Sequence, residues 1–317
     1  MIARGSAGAL RAGGDSVREV ENVPANDHLK ADLLMVLVTL LAAAGWVFSL
    51  KALQGLPPLL FMGVRFLLAG LLLGTIGYGP LRRLDAAQRL RAAAVGVVMG
   101  VAMLCWIMGL FYATHVGVGA FITSLGVILA PLAGRFLFAV HVSRSTWAAA
   151  AVATAGLACL SLQKGGAVHF TSSDAFFLAC AAGLAVHFNL NTRFAARIPV
   201  LPLTAVQLGM VGAMALLTST LVERWPATIG GGTLGWLLAS ILIATSLRFF
   251  LQVKAQSMAP VSHAALVMTL EPVWTALVAT VWLGERMSGV QLGGCALILC
   301  ALLISRWHSI VRRPRHG

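Results

Sequence analysis

The sequence predicts an all-α integral membrane protein of about ten transmembrane helices, arranged as two inverted five-helix repeats. Three observations lead there. Apolar residues make up 59% of the 317-residue chain and charged residues only 10%. The apolar residues gather into runs long enough to cross a bilayer, and the order of runs and breakers recurs after 145 residues.

The composition comes first. A soluble domain needs more polar surface than this, and the mean hydropathy of +0.89 belongs to a chain solvated by lipid. Crossing the hydrocarbon core takes about 20 residues of helix. Qualifying runs lie near 33–50, 59–78, 92–113, 117–140, 146–163, 174–192, 200–222, 233–252, 259–283 and 288–305. Breakers separate them: Gly55-Leu56-Pro57-Pro58, Tyr78-Gly79-Pro80, Lys164-Gly165-Gly166, Trp225-Pro226 and Gly230-Gly231-Gly232. Polar residues mark helix starts at Ser143, at Thr171-Ser172-Ser173 and at Ser288. Residues 1–30 are Gly- and charge-rich without a long apolar run and read as a disordered cytoplasmic tail, and 306–317 as a basic one. The first apolar run begins too late for a cleavable signal sequence.

The charge of +13 points to orientation rather than to nucleic acid, because the basic residues sit between apolar runs and form no interleaved patch. With the N-terminus in the cytoplasm, sixteen Lys and Arg fall on the inner side and four (Lys51, Lys164, Arg224 and Arg286) on the outer side. That bias places both termini in the cytoplasm and fits a multi-pass protein of a bacterial inner membrane. The cysteines Cys105, Cys159, Cys180, Cys295 and Cys300 lack metal or redox spacing and read as packing residues.

A shift of 145 residues lays Leu56-Pro57 on Leu201-Pro202, Ser143 on Ser288, and the run from Ala120 on that from Ala265. The repeats span 31–163 and 174–305 with a linker at 164–173. Five spans per repeat force the second copy to enter the membrane upside down, and inverted repeats of this kind place a substrate between the halves near the midplane.

The residues resemble the EamA family of the drug/metabolite transporter superfamily. In the first half the resemblance rests on Gly45-Trp46 and on Gly55-Leu56-Pro57-Pro58 running into Val64-Arg65-Phe66. In the second half it rests on Ala264-Ala265-Leu266, Leu270-Glu271-Pro272-Val273 and Leu283-Gly284-Glu285-Arg286-Met287-Ser288. The first half departs from the pattern. Ala139-Val140-His141-Val142-Ser143 stands where the family often repeats its Gly-Glu-Arg turn, and no acid precedes Pro131. The resemblance implies a ten-helix inner-membrane carrier of small metabolites, most often an exporter, and family members handle amino acids, vitamins or drugs.

Charges inside a bilayer face a cavity or a partner. Glu271 falls within its span, and Pro272 lacks the N–H that would bond Met268, so a kink beside a carboxylate suits a cation or proton site. Pinning of neighbouring helices by Glu271 is the competing role. Arg248 shares a helix face with Thr245 and Gln252 and either receives an anionic group or pairs with Glu271. Arg65 reads as a helix lock with substrate contact second, and Arg135 reaches the interface. His187 and Asn191 share a face and make a plausible cavity wall, as does Trp46, and His263 shares a face with Glu271. Gly70 with Gly74, and Gly96 with Gly100, permit close helix contact.

No HExxH, P-loop, GxSxG or paired-acid motif is present, so the reading is no enzyme, no cofactor and no metal. The expected activity is secondary transport of an amino acid or related metabolite by alternating access, coupled to a proton or ion or driven by the solute gradient. A monomer in the lipid bilayer is expected. The alternatives are a drug or hydrophobic-cation exporter, a vitamin carrier, and a non-transporting membrane scaffold or sensor.

Overall fold

The computed structural model describes residues 25–139, 142, 144–161, 170–194, 198–256 and 267–311. Outside them lie most of the expected N-terminal tail, the Ser143 helix start, residues 164–169 of the linker, His263, Ala264-Ala265-Leu266, and the chain beyond 311. The described residues form helices and no strand. They are α1 (Ala25–Ala52), α2 (Pro58–Ile76), α3 (Tyr78–Arg82), α4 (Ala86–Phe111), α5 (Val116–Ser124), α6 (Gly126–Phe138), α7 (Arg144–Ser161) and α8 (Ser172–Phe194). Then come α9 (Val200–Val222), α10 (Gly231–Ile241), a π turn (Leu242–Leu247), α11 (Arg248–Gln256), a 3₁₀ turn (Met268–Leu270), α12 (Glu271–Leu283) and α13 (Gly289–Val311).

Among the described residues, seven stretches are long and apolar enough to cross a membrane: Leu33–Ala52, Pro58–Ile76, Ala86–Phe111, Val116–Phe138, Ser172–Asn191, Val200–Val222 and Gly231–Gln252. A further apolar stretch, Gly289–Ile304, is shorter. A chain with this many apolar helices is a multi-pass membrane protein. The third stretch starts earlier than its apolar run because Asp85 and Gln88 close a capping box, with Gln88 N donating to Asp85 Oδ1 at 2.7 Å and Asp85 N to Gln88 Oε1 at 3.1 Å. Ser288 and Gln291 do the same for α13. Thr171 and Asp174 bond reciprocally at the start of α8.

The long pairings join one half of the chain to the other. α2 packs along α9, α4 along α8, and α7 along α13, while α9 also lies on α4. Small residues set these approaches. A Cβ on Gly70 would stand 2.7 Å from Gly209 N, and one on Gly96 would stand 2.9 Å from Met210 Cβ. Gly74 is different, since its nearest neighbours would be at ordinary contact distance.

Two breaks share one register. Leu125 separates α5 from α6, and Leu270, 145 residues on, ends the 3₁₀ turn before α12. The expected kink at Pro272 is therefore a break. Pro272 enters the first turn of a new helix, and the Met268 carbonyl expected to be free accepts from Glu271 N. Both of these helices end in left-handed backbone at the same register, Ala139 with φ 54° and Gly284 with φ 68°. Elsewhere the register differs from expectation. The N-cap prolines of α2 and α9, with φ/ψ of −57°/142° and −55°/138°, are Pro57 and Pro199, so Pro57 corresponds to Pro199 rather than to Pro202. The shift is 142 there and 145 later, because α9 is longer than α2.

The left-handed positions give a paired prediction. A Cβ at Gly284 would meet nothing within 4 Å, so its substitution costs only backbone energy. Gly284→Ala should destabilise by about 1 kcal/mol and Ala139→Gly should stabilise by up to about 1 kcal/mol. Thermal unfolding midpoints of the detergent-solubilised protein should move in opposite directions.

Candidate functional site

The π turn is the local event from which the site is built. Thr245 Oγ1 donates to the Ser240 carbonyl, five residues back, at 2.9 Å, and the wide turn rotates the helix so that Arg248 begins α11. Such bulges recur at functional positions. Thr245 also accepts from Arg65 Nε of α2 at 2.7 Å, which ties the turn to the other half of the chain.

Arg65 is 6% exposed. Its Nη1 donates to Ser49 Oγ on α1 at 2.7 Å, and Ser49 in turn donates to the Gly45 carbonyl. The rings of Phe66, Phe61 and Trp106 lie 5.3, 5.8 and 5.9 Å from the guanidinium carbon. Gly45 is required there, since a Cβ would come 2.9 Å from Ala244 Cβ and 3.7 Å from Arg65 Nη2. Trp46 is buried next to it, edge-on to Trp106 at 5.0 Å and tilted on Phe177 at 5.6 Å, so it is a packed wall and not an open surface.

One turn beyond Thr245, Arg248 Nη2 stands 3.4 Å from Glu271 Oε2, with side chains 20% and 25% exposed. That separation is long for a charge-assisted bond, so the pair is loosely held. α11 and α12 each pack on α1. Four buried polar atoms on the π turn, α11 and α12 have no hydrogen-bond partner among the described residues: Ser246 Oγ, Arg248 Nε, Gln252 Oε1 and Trp274 Nε1. Gln252 follows Arg248 by one turn and Trp274 follows Glu271 by one turn, so the loose ion pair sits among unanswered donors and an unanswered acceptor. Ser246 and Trp274 had no distinctive signal in the sequence.

His187 and Asn191 are placed elsewhere, on α8 against α9. Gln207 Nε2 donates to Asn191 Oδ1 at 2.8 Å, and Gln207 Oε1 lies 3.4 Å from His187 Nε2. This node mirrors the one at Arg65. Arg65 and Ser49 are 16 residues apart, as are Gln207 and Asn191, and a shift of 142 carries each residue onto its counterpart. The same shift carries Gly45 onto His187, so a glycine leaves room for the longer Arg65 and an imidazole fills the space left by the shorter Gln207. Sequence comparison at 145 missed Gln207 because this part of the chain is three residues out of that register.

Two carboxylates outside the expected set also join the halves. Glu285, just beyond α12, accepts from Val116 N at 2.8 Å and Gly117 N at 3.3 Å at the start of α5. Glu223, just beyond α9, accepts from Leu59 N and Leu60 N at 2.8 Å at the start of α2. Each places negative charge on otherwise unsatisfied helix N–H groups. Among the described residues, no group of His, Cys, Asp and Glu has the arrangement of a metal site.

The EamA-like transporter family matches this chain twice, over residues 29–162 and 171–307. A solved crystal structure of a protein, 20% identical in sequence, has the same fold with a TM-score of 0.61, covering 90% of this chain and 99% of that one. No curated protein matches the chain by sequence.

The mirrored node yields a stability prediction. Gln207→Leu leaves the Asn191 amide and the His187 ring without their partner, and should cost about 1–3 kcal/mol, read as a lower unfolding midpoint.

Proposed function

This chain belongs to the EamA-like transporter family, and on that premise we propose that it is a secondary carrier which exports a small metabolite, an amino acid or a related compound, by alternating access. Membership makes it a membrane transporter of the drug/metabolite type; the substrate class, the direction and the mechanism are our reading. The observation that carries it is the partly buried Arg248–Glu271 pair beside the π turn, held at 3.4 Å on elements whose buried polar atoms include several without a partner among the described residues. Such a pair is ready to exchange its mutual contact for a zwitterion, Arg248 taking the carboxylate and Glu271 the ammonium group. Gln252, one turn along from Arg248, offers the same solute a further polar contact.

In this reading the chain has ten transmembrane helices in two inverted repeats, 31–163 and 174–305, joined by 164–173. The recurrence of the breaks at Leu125 and Leu270, and of the nodes at Arg65 and Gln207, supports it. The inner-side excess of Lys and Arg supports cytoplasmic termini in a bacterial inner membrane. A coupled proton or ion would meet Glu271, the deepest carboxylate. Trp46, Arg65, His187, Asn191 and the break at Pro272 then hold the framework around the site.

Reconstituted protein should show saturable flux of at least one amino acid in proteoliposomes. Glu271→Gln and Arg248→Ala should each lower that flux about tenfold or more, the effect of losing a charge-assisted contact worth about 1.5–3 kcal/mol. Both variants should still insert and elute as the parent does. Undiminished flux in both would refute the site. Absence of saturable flux for any amino acid, vitamin or hydrophobic cation would favour the scaffold reading.

A further inference from the structure

Arg65 is a buried cation with no anionic partner among the described residues. Five acids lie between residues 33 and 305, and each is committed elsewhere. Asp85 caps α4 through Gln88 N, and Asp174 is bonded to Thr171. Glu223 and Glu285 lie on the helix starts at Leu59 and Val116, and Glu271 faces Arg248. Asp32 precedes Ser49 by seventeen residues on the same helix, about 25 Å along its axis. What Arg65 does touch is neutral: two hydroxyls and three ring faces. Hydroxyls and rings orient a guanidinium without neutralising it, and a bare charge in a low-dielectric interior is unfavourable until an anion arrives.

The position of this charge gives it a use. Thr245, bonded to Arg65, stands one turn from Arg248. Arg65 and Arg248 together bring two positive charges to the centre of the bundle, and Glu271 brings one negative charge. The centre carries one positive charge in excess.

We propose that Arg65 is an anion-binding group for the transported solute, and that the solute carries a carboxylate that Arg65 receives, whether in an organic acid, which also offsets the excess charge, or in a zwitterion whose ammonium group turns to Glu271. This inference rests on the carrier reading above and narrows it. A hydrophobic cation would add charge of the wrong sign and is excluded as the substrate class. Arg65 has a second task, orienting Ser49 and the π turn, which a neutral side chain could also perform. The mirrored node offers the precedent of an amide, Gln207, although there His187 fills the space that Gly45 leaves beside Arg65. Arg65→Gln therefore separates the charge from the scaffold.

The test is thermal unfolding of the detergent-solubilised full-length protein, titrated with the twenty L-amino acids, with short-chain dicarboxylates and with the primary amines that match the amino acids after loss of the carboxylate. Sodium chloride in place of sodium gluconate serves as the inorganic-anion arm. The expected result is a rise in midpoint with one or more carboxylates and none with the matching amine. Arg65→Gln should fold and weaken that response at least tenfold, while Arg65→Lys should keep part of it. Amines that stabilise as well as their parent acids would overturn the proposal. So would a carboxylate response that survives intact in Arg65→Gln, a rise produced by chloride alone, or no carboxylate response across the panel. If Arg65→Gln does not fold, the comparison of acids with amines on the parent protein and on Arg65→Lys decides. Carboxylate-dependent stabilisation without flux in proteoliposomes would refute the carrier reading and leave the anion site standing.

Discussion

A guanidinium inside a helix bundle, bonded to two hydroxyls and framed by aromatic rings, organises the region between α1, α2, α4 and the π turn. Because Arg65 is buried, every donor it turns toward the protein needs an answer. Ser49 and Thr245 supply two answers, and both hydroxyls pass the polarity on to a backbone carbonyl, at Gly45 and Ser240. The side-chain bond to Ser240 reaches five residues back, from the π turn into α10. Without the wide turn, Thr245 would not meet Arg65 in this way, and Arg248 would leave the helix in another direction. The loose pair with Glu271 therefore depends on a contact made one turn earlier, by a residue from the other half of the chain.

That dependence explains what was legible in the sequence and what was not. Apolar runs reveal spans because lipid admits no unsatisfied backbone, so α1, α2, α4, α8 and α9 could be read from hydropathy. Arg248 facing Glu271 was foreseeable as well, since two deep opposite charges within one half seldom remain apart. The π turn was hidden, because a bulge leaves no compositional trace. Gln207 was hidden for a different reason. Its role follows from a register of 142, whereas the later helices repeat at 145, and this change of register, which accompanies the greater length of α9, erases the correspondence for any single shift. The break before α12 was read as a kink because Pro272 signals a lost bond, but the sequence does not say that a 3₁₀ turn will recover the Met268 carbonyl.

The mirrored nodes show how two repeats of one family fold can keep their geometry and change their chemistry. Gly45 with Arg65 and His187 with Gln207 fill corresponding volumes by exchanging bulk between neighbouring helices, as close packing demands. One exchange leaves a permanent positive charge and the other leaves a neutral amide and imidazole. A symmetric backbone has thus acquired a charged half-site and an uncharged one. A solute crossing between them meets an asymmetric field even where the helices are related by the repeat.

The same inequality appears at the two ends of the bundle. At the end where α2 and α5 begin, Glu223 and Glu285 from the second half hold first-half helices by bonds to backbone N–H groups. At the opposite end, α9 begins at Pro199 with no side-chain cap, and the halves meet through Leu84, Ala92, Ile198 and Leu203. The position that corresponds to Glu285 by the 145 shift is Val140, which offers no carboxylate. Carboxylate-to-helix bonds are directional and hold one arrangement, while apolar contacts tolerate sliding. The halves are therefore joined by discrete directional bonds at one end and by an apolar seam at the other.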